Sequence, residues 1–243
     1  MLKGLLVAIQ FLTVFPVGFR DPPGAREWGM SVAWYPLVGA LIGALLWAIA
    51  LMLPSGQGVL EAAIVLALWV FASGALHLDG LADCADAWVG GFGDRERSLA
   101  IMKDPRSGPV AVVVVVVVLL LKFAALSVLL PAGDHWVLLA APVLARGSAG
   151  GLLAVSPYVR SQGIASAMIA DLPRVAILAG AGLCVLAVGL FWSVPAALIS
   201  GLTLVLIRFL AMRRLAGITG DVAGALVEIS ETAILLAVAL AQT

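Results

Sequence analysis

Apolar residues run in blocks of about twenty along this chain, and polar residues collect in the gaps between the blocks. Seven blocks are long enough to cross a bilayer core, at roughly 30–53, 59–80, 109–130, 135–155, 175–194, 196–212 and 222–241. Ser193 to Pro195 leave room only for a tight hairpin between the fifth and sixth. The third carries VAVVVVVVVLLL, a valine run that suits a buried strand in water but at this length predicts a lipid-facing helix. Ahead of the blocks, MLKGLLVAIQFLTVFPVGF is interrupted by Gln10, Thr13 and Pro16 and lacks a small-residue cleavage site. It reads as an interfacial or partly inserted helix that stays on the protein. The pattern predicts an all-α polytopic membrane protein of about seven transmembrane helices plus that N-terminal helix. Residues 1–243 form one integral membrane domain whose cytoplasmic loops are too short to fold alone.

Composition removes the soluble alternatives: 63% of the 243 residues are hydrophobic and 12% are charged. Fourteen basic and fourteen acidic residues cancel, so no global field attracts nucleic acid. Cys84 and Cys184 lie far apart in or beside apolar runs and read as small buried hydrophobes. GALIGALL and GLLAV read as small-residue faces for close helix packing.

The distribution of charge says more than its sum. Lys3, Arg20 and Arg26 precede the first span. Arg95, Arg97, Lys103 and Arg106 separate the second from the third, Arg160 and Arg174 the fourth from the fifth, and Arg213 and Arg214 the sixth from the seventh. The intervening loops hold no Lys or Arg. The positive-inside rule then places the N-terminus in the cytoplasm and the C-terminus outside.

At the cytoplasmic end of the second span stands HLDGLADCADAWVGG. At about 100° per residue, Asp79, Asp83 and Asp86 fall within a helical sector of about 60°. Each carboxylate would cost about 2.5–3.5 kcal/mol at the bilayer centre, so the three must face water or protein. They repel one another, and no Lys or Arg lies between residues 27 and 94 to relieve them. A divalent cation of the oxygen-seeking kind, Mg²⁺, Mn²⁺ or Ca²⁺, is the simplest neutraliser. Solvation of a helix end would explain one or two aspartates; three on one face beside His77 read as a site.

A second acidic set stands in ITGDVAGALVEISE. Asp221 and Glu228 share a helical face, and Glu231 lies about 60° round from Glu228. Asp221 alone fits a helix N-terminus capped by Thr219 or Gly220. Glu228 and Glu231 lie inside an apolar span and are expected to point into the same cavity as the aspartates.

KDPRSG offers a turn where Lys103, Arg106 and backbone amides could meet a phosphate. Arg146 and Arg208 lie within predicted spans and are site candidates by position. Lys122, in mid-span, is read as snorkelling or pairing with Glu61. Carboxylates, a cation and arginines at one membrane face suggest metal-dependent transfer from a phosphoanhydride. P-loop, G-x-S-x-G, kinase and zincin motifs are absent.

FLTVFPVG, WYPLVGALIGALL, HLDGLADCADAWVGG with RERSLAIMKDPRSGP, and GDVAGALVEISE, in this order over residues 5 to 240, resemble the adenosylcobinamide-GDP ribazoletransferase (cobalamin synthase) family. The resemblance implies a bacterial inner-membrane enzyme with its site facing the cytoplasm. A hydroxyl of α-ribazole, or of its 5′-phosphate, attacks the β-phosphate of adenosylcobinamide-GDP and releases GMP. It also implies Mg²⁺ as cofactor, held by Asp79, Asp83 and Asp86, with Asp86 either ligating or acting as base. His77, Lys103, Arg106 and Arg146 would serve substrate and phosphates, with Asp221, Glu228 and Glu231 completing the shell or gripping the ribazole. Homo-oligomerisation is left open.

The spacing D-G-x-x-D-x-x-D also resembles CDP-alcohol phosphotransferases, although their A-R after the D-G pair and their later D-x-x-x-D are missing. A cation-coupled secondary transporter is the alternative from another class. It is disfavoured because the acids gather at one face rather than at the midplane.

Overall fold

The computed structural model describes residues 2–54, 58–160 and 164–242. Among them are twelve helices: α1 (Leu2–Leu12), α2 (Ala25–Val32), α3 (Tyr35–Met52), α4 (Gly58–Ala72), α5 (Leu76–Gly90), α6 (Arg95–Ile101), α7 (Pro109–Leu129), α8 (Val137–Val155), α9 (Ile164–Ala170), α10 (Arg174–Phe191), α11 (Val194–Leu215) and α12 (Gly220–Leu240). Six of these, α3, α7, α8, α10, α11 and α12, are long and apolar enough to cross a membrane. Their limits follow local signals. Pro36, Pro109 and Pro195 occupy first turns, where a missing N–H costs nothing. Ser193 and Thr219 cap α11 and α12 by accepting from the amides of Ala196 and Val222.

The seventh span differs from expectation. The block at 59–80 is not one straight helix: α4 stops at Ala72, and α5 leaves at 86° to it. The turn is made by Gly74 and Ala75, both with left-handed backbone (φ 59° and 56°). The aspartates therefore stand on a helix of their own rather than on the end of α4. The break also exposes the Ala72 carbonyl, which accepts from the Val14 amide at 3.0 Å and pins the end of α1 there. At eleven residues, about 16 Å, α1 is too short to span. Its buried face, Gly4, Val7, Ala8 and Leu12, packs mainly on α2.

The bundle is arranged around α8 and α12, whose spans are 89% and 72% buried in protein; α10, at 11%, is outermost. The valine helix α7 turns Val112, Val113, Val116, Val117 and Leu120 outward, as its composition predicts. The small-residue face GALIG works as expected: Gly39 and Gly43 lie against the carbonyl oxygens of Pro142 and Leu138 on α8, where a Cβ would come within 2.4 and 2.5 Å. Pro142 cannot donate to the Leu138 carbonyl, so that oxygen is open to the approaching α3.

A second close crossing joins α5 to α12. A Cβ on Gly80 would sit 2.8 Å from the Asp221 carbonyl oxygen and 2.9 Å from its Cα. A Cβ on Gly224 would sit 3.3 Å from the His77 backbone. Alanine at Gly80 must push two backbones apart. Gly80→Ala is expected to cost about 1–3 kcal/mol, read as a lower unfolding midpoint in detergent. Gly180→Ala on α10, where nothing lies within 4 Å, is expected to be neutral or mildly stabilising. Equal midpoints for the two variants would count against the tight crossing.

Candidate functional site

The α5–α12 crossing brings the two acidic motifs together. Asp79 is exposed at the mouth of a cavity of about 240 Å³ that Asp221 also lines. Asp83, half-buried one turn further along α5, lies within electrostatic reach of Asp221, Asp79 and Asp86, with Arg160 as the opposing charge. Arg160 donates to Asp221 Oδ2 at 2.5 Å and to the Met102 carbonyl at 3.0 Å. It thus ties the start of α12 to the residue before Lys103. Arg160 is placed by a short parallel pairing: Val159 N–H donates to the Ile218 carbonyl (3.0 Å) and Ile218 N–H to the Pro157 carbonyl (2.9 Å). Gly217 permits this approach, since a Cβ there would meet the Pro157 oxygen at 2.5 Å. In sequence Arg160 looks like one more positive-inside residue, and nothing in PYVR marks it as Asp221's partner.

The cavity runs inward from these carboxylates to His77 and Arg146, both buried. Tyr35, Phe11 and Met168 form much of its apolar wall. His77 Nδ1, Arg146 Nε and Arg160 Nε have no hydrogen-bond partner among the described residues. Orphaned buried nitrogens of this kind ask for a ligand or water.

Other expectations are corrected. Asp86 does not face the cavity with its neighbours. Its carboxylate accepts from the amides of Gly108 (2.5 Å) and Ala111 (2.9 Å), capping the N-terminus of α7. The helical sector was right, but the start of α7 reaches Asp86 first. Glu228 and Glu231 do not point into the cavity either. Lys122 Nζ donates to Glu228 Oε2 and Glu231 Oε2, each at 2.6 Å, and Arg146 Nη1 donates to Glu231 Oε1 at 2.7 Å. The four residues are 1–5% exposed. Lys122 therefore does not snorkel; it is the centre of a buried ionic cluster that shares Arg146 with the cavity wall.

The basic loop is mostly architectural. Arg95 donates to the Leu215 carbonyl at the end of α11, and Arg214 to the Ala87 and Trp88 carbonyls at the end of α5. Arg174 and Arg208 serve the end of α8 in the same way, through the Ala154 and Val155 carbonyls. Arg106 forms a two-pronged pair with Asp104 at 2.7–2.9 Å, which pushes the Asp104 carboxyl down to about 2. Arg106 and Lys103 are exposed and do not line the cavity.

Whether these residues fit a divalent cation can be judged from the donors present. Among the described residues no three carboxylates, imidazoles or thiols form a closed ligand set. Asp79 and Asp221 nevertheless supply hard oxygen donors from two helices at the cavity, with Arg160 as the opposing charge, and Asp83, which does not line the cavity, stands within electrostatic reach of both. That fits a Mg²⁺-like ion, which uses one or two carboxylates and completes its shell with water and substrate phosphate.

Fold and site define a polytopic membrane protein with a charged cavity opening at one end of its helix bundle. Comparison with known proteins narrows this. The family model for cobalamin-5-phosphate synthase matches residues 4–239. The chain is 51% identical over 237 residues to the adenosylcobinamide-GDP ribazoletransferase of Pseudomonas fluorescens, covering 96% of this chain and 98% of that one. It is 53% identical to that of Ectopseudomonas mendocina (96% and 97% covered) and 52% to that of Pseudomonas aeruginosa strain UCBPP-PA14 (98% of each). The chain belongs to the cobalamin-5-phosphate synthase family. No solved structure matches it.

The ionic cluster makes a prediction of its own. Lys122→Met leaves two buried glutamates facing one arginine, which is expected to cost about 3–5 kcal/mol in detergent unfolding. Adding Glu228→Gln restores neutrality, and the double variant is expected to be more stable than the single one. A double variant less stable than Lys122→Met would contradict the charge balance.

Proposed function

We propose that this chain is an adenosylcobinamide-GDP ribazoletransferase. It joins α-ribazole, or its 5′-phosphate, to adenosylcobinamide-GDP in the closing steps of cobalamin biosynthesis. The observation that carries the reading is the meeting of Asp79 and Asp221 at a cavity, with Asp83 within electrostatic reach of both, in a chain that matches the family from residue 4 to 239. The acceptor hydroxyl attacks the β-phosphorus; a P–O bond forms to the ribazole, and the P–O bond to the bridging oxygen breaks. That oxygen leaves with GMP, and the hydroxyl proton passes to a nearby carboxylate or to water.

Asp79 and Asp83 would hold Mg²⁺, with Asp221 beside them. When bound, the ion supplies charge neutralisation across the diphosphate. Asp86, held by the amides at the start of α7, is set aside as proton acceptor, which leaves a carboxylate oxygen that the ion does not engage, or water. Arg160 positions Asp221 and steadies the chain at Met102. Lys103, exposed just beyond, is available to the diphosphate from outside the cavity.

The same reading places the chain in the bacterial inner membrane with the N-terminus and the site on the cytoplasmic side. In its support, the basic segments at 95–106, 156–160 and 213–214 lie at the site's end of the bundle. Asp134, Gln242 and the stacked Trp136–Trp192 pair lie at the other.

Asp83→Asn is expected to lower GMP release by at least about 100-fold while the protein still inserts and unfolds cooperatively. Asp86→Asn, whose single amide oxygen can keep only one of the two contacts to Gly108 and Ala111, is expected to lower the unfolding midpoint but to keep most of the activity. Chelation by EDTA is expected to stop turnover, and Mg²⁺ to restore it. Near-normal turnover by Asp83→Asn, or after chelation, would reject the site.

A further inference from the structure

The cavity is too small for both substrates. Its volume of about 240 Å³ suits a nucleoside, whereas a corrin macrocycle is several times larger. Its lining has two characters. Phe11, Tyr35, Leu153 and Met168 form an apolar wall with two aromatic rings; His77, Arg146 and Arg160 form a polar end. Phe11 stands edge-on to Trp28, with ring centroids 6.2 Å apart, and the Tyr35 hydroxyl lies 3.5 Å from Met168 Sδ, so the two rings are held in place. The residues of the polar end carry the three unpartnered nitrogens, which are themselves enclosed by protein, and His77 and Arg146 are 95% and 99% buried. An acyl chain would match the wall but set hydrocarbon against the charged and polar side chains of the other end; an inorganic ion would leave the wall bare.

We infer that this cavity is the acceptor subsite. It takes a nucleoside with a planar aromatic base, the base against Phe11 and Tyr35 with its ring edge toward His77 and Arg146, and the ribose toward Arg160 and Asp79 at the mouth, where its hydroxyl can meet the GDP-bearing corrinoid that stays outside. The inference rests on the proposed transferase activity and deepens it, since it divides the two substrates between inside and outside. It also gives α1 a function. The Val14–Ala72 hydrogen bond that pins the end of α1 at the α4–α5 break sets Phe11 at the cavity, next to the helix that bears Asp79. Phe11 is thus a specificity-determining residue for the base.

The test measures equilibrium binding of α-ribazole and of adenosylcobinamide-GDP separately, to the full chain in lipid nanodiscs, together with the KM of each. Stacking of a base on an aromatic side chain contributes about 1–3 kcal/mol, or about 5- to 150-fold in affinity. Phe11→Ala is therefore expected to weaken acceptor binding and raise its KM by roughly tenfold or more, with the corrinoid changed by less than about twofold. Ala149→Leu, which adds bulk to the cavity wall, is expected to weaken the acceptor in the same selective way. Phe11 lies on a peripheral helix, so its variant remains informative should Ala149→Leu fail to fold. Unchanged acceptor affinity in Phe11→Ala, or a loss that falls on the corrinoid instead, would overturn the inference while leaving the transferase reading intact. A wild-type protein that binds neither ligand would overturn the transferase reading itself.

Discussion

Four charges that lipid would reject hold the bundle together. Lys122 comes from α7, Arg146 from α8, and Glu228 and Glu231 from α12, and their formal charges cancel. Desolvating them is expensive, so the cluster is not a source of net stability by itself. It acts as a constraint. Only one rotation and one depth of α12 bring both glutamates to Lys122 while Arg146 reaches Glu231. That register sets where the first turn of α12 emerges, and so where Asp221 stands. Lys122 also lies 5.3 Å from the centre of the Trp69 ring, extending the same register to α4.

With α12 fixed, the rest of the site follows from close approach. Gly80 and Gly224 let α5 cross α12 with almost no side chain between them, and Gly217 lets the strand-like segment before Arg160 lie beside the start of α12. Larger residues at these positions would separate Asp79 and Asp83 from Asp221 and withdraw Arg160 from both. The break at Gly74 and Ala75 completes the arrangement by turning α5 away from α4, so that Asp79 faces the cavity.

The spans themselves were readable because a block of about twenty apolar residues has few alternatives in a membrane chain. Five of the seven predicted blocks match a single helix to within about three residues at each end. The α4–α5 break was hidden because Ser73, Gly74 and Ala75 barely lower the average hydropathy of the window around them. The GALIG face was readable because its chemistry is local. The partners of Glu228, Glu231 and Asp221 were not. Lys122 lies 106 residues from Glu228, and Arg160 lies 61 from Asp221, separations about which a single sequence says nothing. Asp86 illustrates the limit most sharply. Helical periodicity gave its direction correctly, yet its role was decided by Gly108, 22 residues on, whose lack of a side chain lets the carboxylate reach the amides at the start of α7.

Arg146 belongs to both the ionic cluster and the cavity, and this shapes what the cavity can attract. Its positive charge is already balanced by Glu231, so at the cavity floor it offers hydrogen-bond donors rather than net charge. Arg160 is balanced by Asp221 in the same way. With those pairs set aside, Asp79 at the mouth and Asp83 close beside it leave the entrance negative. A diphosphate approaching it meets repulsion unless a cation intervenes, whereas a nucleoside whose base is neutral can pass the carboxylates and settle inside. Under the proposed reading, the same carboxylates that admit the acceptor therefore make the donor's approach depend on a divalent ion. On that reading the charge left uncompensated at the mouth, rather than the larger number of charges buried beneath it, sets the difference between the two substrates.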